Sequence, residues 1–139
     1  MGFTTRIGPF PLLTWNQFFW VAAVRFSEFG PGPVQLNVAS PDGGLTPPGA
    51  AQAAAYRHAQ DHQSEIRSAI NASVPQHEQL TLSFVHVLPI GKDDLAFVGY
   101  EFESPSNDAG VGVMTHSSTV LKVGHGLVAI GGGDGPPPV

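Results

Sequence analysis

In a chain carrying 17 glycines and 13 prolines, residues 50–73 contain neither. Glycine and proline are the strongest local breakers, so a long stretch without them reads as one helix. The helix is expected from about Pro48 to Ser73, with Thr46 as its N-cap and Pro47 suited to the first helical position. Pro75 stops it. At about 100° per residue, Ala55, Ala59, Ile66, Ala69 and Ile70 fall on one side. That stripe is narrow and made of small residues, which lets a helix lie close against a sheet.

The flanking segments read as strands. Phe3, Ile7, Phe10 and Leu12 lie among turn formers and suggest a short one. Trp15–Phe26 is rich in aromatic and β-branched residues. Gly30-Pro31-Gly32-Pro33 then breaks the chain. Val34 to Val38 alternates strictly, with Val34, Leu36 and Val38 expected in the core. These two segments are expected to pair as a hairpin. Beyond the helix, Leu80–Ile90 puts Leu80, Leu82, Phe84 and His86 on one face. A turn at 91–94 leads into Leu95–Glu103, apolar on both faces until Glu101 and therefore central. Ser104–Ala109 reads as a polar loop. Val111–His116 and Thr119–Gly124 form a tight hairpin about Ser117-Ser118, and Leu127–Ile130 is expected to continue the sheet. The fold class is thus α+β: an antiparallel sheet of about five to seven strands, covered on one face by one long helix. Residues 1–130 form one domain, and 131–139 a flexible Gly/Pro tail.

Charge narrows the function. The net charge is −5, and Arg6, Arg25, Arg57, Arg67, Lys92 and Lys122 are scattered singly. A nucleic-acid binder needs clustered positive charge to displace counterions, so nucleic acid is rejected as a partner. An anionic membrane is disfavoured for the same reason, and Phe18–Phe26 is far too short to span a bilayer. A basic protein would be steered toward this chain. The chain has no cysteine, which removes disulfides, thiolate metal sites and a cysteine nucleophile. Pro9 and Pro11 interrupt the apolar run Ile7–Leu13, only Arg6 is basic before it and no cleavage pattern follows, so a cytoplasmic location is expected.

The six histidines are the place to look for chemistry. His58 and His62 stand at i, i+4 beside Asp61 and Glu65, a spacing that suits a metal. The segment lacks the glutamate of the H-E-x-x-H pattern, and a structural or solvated pair is the favoured reading. His86, His116 and His125 are candidates for convergence in the C-terminal strands. Ser117, His116 and Asp108 supply a triad inventory, but there is no G-x-S-x-G elbow. Glu101 and Glu103 share a strand face and read as a solvated strand end. Gly131-Gly132-Gly133 lacks the following Lys-Ser/Thr of a phosphate loop, and the glycines at 110, 112, 124 and 126 are assigned to bulges and turns. No catalytic residue, metal ligand or cofactor is assigned. Asp61, Glu65, Asp93, Asp94, Glu103 and Asp108 are the candidate partner-binding residues.

One segment carries a resemblance. Phe97-Val98-Gly99-Tyr100-Glu101-Phe102, then Asp108 to His116, then Val120-Leu121-Lys122-Val123-Gly124 resemble the C-terminal hairpin of an uncharacterised bacterial domain family. In that family the turn and strand read like W-D-x-E-H-G-L-G-V, followed by a polar turn and V-x-x-V-G. Where the family has Glu-His, this chain has Asp108-Ala109. The family is often encoded beside polymorphic toxins. The resemblance therefore implies an immunity protein that binds a cognate, basic toxin and blocks it by occlusion. Two other readings stand beside it: a small histidine-dependent or metal-binding enzyme, and an assembly component of a phage or secretion particle.

Overall fold

The computed structural model describes residues 2–75 and 77–131. Among these residues eight strands form one sheet in chain order: β1 (Thr4–Thr5), β2 (Leu13–Trp15), β3 (Trp20–Arg25), β4 (Pro33–Val38), β5 (Thr81–Lys92), β6 (Leu95–Ser104), β7 (Asn107–His116) and β8 (Thr119–Gly124). Helices α1 (Ala50–Asp61) and α2 (Gln63–Ser73) lie between β4 and β5. Three 3₁₀ turns occupy Ser27–Phe29, His77–Gln79 and Gly126–Ile130. The expected tail lies, apart from Gly131, outside the described residues. No helix of the described residues is long and apolar enough to cross a membrane.

The sheet is mixed, not purely antiparallel as expected. β4 and β5 run parallel, with Leu36 opposite Val85 and Val38 opposite Val87. The cause is the long helical connection, which returns the chain to the end at which β4 began. Every other neighbouring pair is antiparallel. The strand count also exceeds the expected five to seven. The Trp15–Phe26 run splits because the Asn16 side-chain oxygen accepts from Phe18 and Phe19 N–H at 3.0 and 2.8 Å. Gln17 turns through φ 83° there. The expected hairpin across residues 30–33 forms between β3 and β4. Leu127–Ile130 does not extend the sheet; it belongs to the last 3₁₀ turn.

The single long helix is two. His62, at φ −122° and ψ 33°, separates α1 from α2. α1 packs across β5 and β6, whereas α2 packs against β8 and the Ser27–Phe29 turn. Gln63 accepts the Glu28 N–H at 3.0 Å, and Arg67 donates to the Glu28 carbonyl, so α2 is anchored to a different neighbour. Thr46 is not the cap. Its hydroxyl bonds the Asp42 carboxylate, and α1 begins at Ala50 after Gly49. The cap comes from inside the helix: buried Gln52 accepts the Gly49 N–H at 2.9 Å. The same side chain donates to the carbonyls of Ala39 and Leu88, tying the helix start to the end of β4 and to the neighbouring stretch of β5.

The core lies between helices and sheet. Val34, Leu36 and Val38 are buried there as their alternation predicts. They pack with Val85, Val87, Tyr100 and Val113 against Ala55, Ala59, Ile66 and Ile70. An irregularity between Leu82 and Phe84 changes the expected parity of β5. Leu82 joins Val85 and Val87 in the core, while Phe84 stacks on His86 instead. The opposite face of the sheet carries a smaller cluster of Leu88, Phe97, Met114 and Val128 beneath the Gly126–Ile130 turn. That turn sits directly on Gly99 and Gly112. A Cβ on Gly99 would fall inside the Ala129 carbonyl, and one on Gly112 would come within 2.6 Å of the His125 carbonyl oxygen.

Candidate functional site

Pairing registers place a polar group on the sheet face away from the helices. Asn37 of β4 lies opposite His86 of β5, and Gln35 opposite Phe84. Phe84 in turn lies opposite Glu101 of β6. Side chains two apart on a strand share a face, so Gln35, Asn37, Phe84, His86 and Glu101 all project together. They form a directed chain of hydrogen bonds. Gln35 Nε2 donates to Asn37 Oδ1 at 2.8 Å, and Asn37 Nδ2 contacts His86 Nδ1 at 3.3 Å. His86 Nε2 lies 2.9 Å from Glu101 Oε1. An amide N–H can only donate, so Nδ1 of His86 accepts and the proton sits on Nε2, facing the carboxylate. Both ring nitrogens are thereby committed. His86 is 6% exposed, flanked by Phe84 and Phe19 with ring centroids at 5.8 and 6.2 Å. The Glu101 side chain is 34% exposed at the end of the chain.

Burial holds the His86 pKa below its ordinary value of 6.5, against the upward pull of the Glu101 hydrogen bond and charge. His58 is also lowered, first by burial and then by His62; Glu65 and Asp61 pull it up and His116 adds to the lowering. The unfolded chain therefore binds protons on these rings before the folded one does. Unfolding free energy should be fully present above about pH 6.5 and decline as the pH falls below it. Urea midpoints taken from about pH 7.5 down to about pH 5 should show that decline, and it should shrink in His86→Gln. An equal decline in His86→Gln would assign the effect to His58 or other groups.

Glu101 opens onto a groove of about 680 Å³, bordered also by Phe84, Phe102, Glu103, Pro105 and Asp108. Two candidate binding residues, Glu103 and Asp108, thus meet in one place beside Glu101. The other four lie elsewhere. Asp93 and Asp94 form the β5–β6 turn with φ 55° and 60°. That turn precedes Leu95, whereas Glu103 lies at the other end of the ten-residue strand β6, about 30 Å away. Asp61 and Glu65 flank the helix break, where Glu65 Oε1 lies 3.0 Å from His62 Nδ1. The sequence reading passed over the pairing of His86 with Glu101. A signal for it existed. Counting back from the Asp93-Asp94 turn puts the two residues opposite each other, and the later irregularity shifts the register by two, which preserves the face.

The remaining histidines do not converge. His116 Nε2 donates to the Lys92 carbonyl at 2.9 Å, at the end of β7. His125 follows β8 at its opposite end, and Asp108 stands at the start of β7, far from His116. No triad of Ser117, His116 and Asp108 is assembled. Instead His58 Nε2 meets Ser118 Oγ at 2.9 Å and Ser117 Oγ at 3.3 Å, clamping the β7–β8 turn to α1. Its ring stacks on His62 with centroids 4.2 Å apart. Among the described residues no group of three or more potential ligands is placed to hold a metal ion. In comparisons with family models, with curated proteins and with solved structures, no significant match to this chain is found.

Proposed function

We propose that the chain is a binding protein of the immunity type, which neutralises a cognate basic bacterial toxin in the cytoplasm by covering its working surface. The observation that carries this reading is the groove at the open end of the β5–β7 face. Glu101, Glu103 and Asp108 border it, and neither Lys nor Arg does. A pocket of one sign with low-dielectric aromatic walls raises the on-rate of an oppositely charged partner and rejects like-charged ones. The resemblance of Leu95–Gly124 to a family encoded beside toxins supplies the biological setting, since fold alone does not imply function. The commitment of both His86 nitrogens also favours binding over catalysis: a general base needs a free lone pair toward its substrate.

Co-expression with the product of the adjacent gene tests the proposal. The expected result is a one-to-one complex of nanomolar affinity or tighter, with loss of the toxin's activity inside it. An adjacent product that is no toxin, or that fails to co-purify, removes the reading.

A further inference from the structure

We infer that the face away from the helices is a docking track for one extended segment of the partner, bearing an apolar side chain at one end and an arginine at the other. This deepens the binding role proposed above and rests on it. The track has two parts. The acidic groove is one. The other is a hollow of about 540 Å³ over β2–β4, whose lining includes Val21, Ala22, Ala23 and Pro33 and, like the groove, no Lys or Arg among the described residues. Gln35 borders the hollow and Phe84 borders the groove, and these two residues are register partners on neighbouring strands. The two depressions therefore adjoin. The Gly126–Ile130 turn packs mainly over β6 and β7 and reaches β5 at Leu88, four residues along that strand from Phe84.

Charge complementarity selects the occupant. Among the described residues the groove end carries three carboxylates and the hollow end none. Glu101 is held in place by a buried histidine whose far side is held by Asn37 and Gln35, so the carboxylate is oriented before any ligand arrives. A fixed carboxylate beside an aromatic face, here Phe84, suits a planar guanidinium, which pairs bidentately and stacks, better than a compact ammonium. Spacing follows from the sheet. β3 to β6 spans three strand intervals, about 14 Å, which an extended peptide covers in about four residues. The segment should read as apolar, three intervening residues, then arginine.

The test uses the full chain and a synthetic peptide, acetyl-Leu-Ser-Gly-Ser-Arg-Gly-amide, titrated by NMR. Controls replace arginine with citrulline, its neutral isostere, or place leucine and arginine side by side. The expected result is chemical-shift change at Ala23, Gln35, Phe84 and Glu101, with binding about tenfold weaker for either control. The double variant Glu101→Gln with Glu103→Gln should weaken the arginine peptide to the citrulline level; the new amide at 101 can still accept from His86, so the fold is kept. Equal binding of the citrulline peptide, no binding at all, or shifts confined to another face would overturn the track. So would a homodimer in sedimentation that buries this face. A toxin that binds the double variant as tightly as the parent leaves neutralisation standing and removes the track. Specific peptide binding with no toxin complex does the reverse.

Discussion

Gly99→Val is expected to lift the Gly126–Ile130 turn off the sheet and to lower stability by about 3–5 kcal/mol. Gly99 lies in the middle of β6 with its backbone against Ala129, and any Cβ there would overlap the Ala129 carbonyl. The obstacle is backbone, which cannot rotate aside as a side chain can. Relief requires the whole turn to retreat, and the turn carries buried Val128 and Ala129. Leu88, Phe97 and Met114, buried beneath it, would then be exposed. Urea unfolding measures the loss, and amide exchange at Phe97 and Met114 locates it. Gly32→Ala, where an added Cβ meets nothing within 4 Å, serves as the control with little expected change. A Gly99→Val protein with the parental urea midpoint would sink the idea that close backbone contact holds this layer.

His86→Ala should cost about 2–4 kcal/mol at neutral pH, combining a lost buried ring with two stranded polar partners. The Asn37 amide loses its acceptor while 5% exposed, and Glu101 loses the donor that orients it. Replacing the network together tells a different story. Asn37→Val, His86→Leu and Glu101→Leu in one protein should fold with stability within about 1 kcal/mol of the parent or above it, because a buried polar network is seldom more stable than a packed apolar one. That triple variant should nonetheless lose the partner. The pair of results separates the two roles: the network orients a carboxylate, and the fold does not require it. If the triple variant were as unstable as His86→Ala, the network would be a structural element and its link to binding would fail. Unfolding by urea and partner affinity, measured on the same preparations, decide between them.

Much of the fold was legible locally. The Val34–Val38 alternation placed three residues in the core because a strand has a period of two, whatever it pairs with. The breaker at 30–33 and the turn at Asp93-Asp94 announced their hairpins. The strand–helix–strand order also held the parallel β4–β5 pair, since a crossover that long returns the chain to its starting end. What escaped was set by distant neighbours. Nothing between Asp61 and Gln63 marks a helix boundary; the break follows from α2 docking on the Ser27–Phe29 turn. Gln52 caps α1 only because Ala39, just past β4, and Leu88, within β5, present carbonyls to it. Gly99 and Gly112 leave room for the 3₁₀ turn laid across them, which no local pattern announces, and Gly112 lies in regular register within β7 and not at the expected bulge or turn.

The candidate site divides in the same way. Glu103 and Asp108 stood out as acidic residues near a turn, and the β6–β7 pairing put them at the rim of one groove. Asp61, Glu65, Asp93 and Asp94 had equal standing in the sequence and lie at other places on the molecule. By itself, the sequence determined the acidic charge, the lack of thiol chemistry, most strand faces and the position of the helical crossover, because these depend on composition and on periods of two to four residues. Only the tertiary structure decided which carboxylate is oriented, by bringing Gln35, Asn37, His86 and Glu101 from three strands into one hydrogen-bonded line. That alignment depends on register between strands far apart in the chain, and a one-residue slip would turn these side chains to the opposite face.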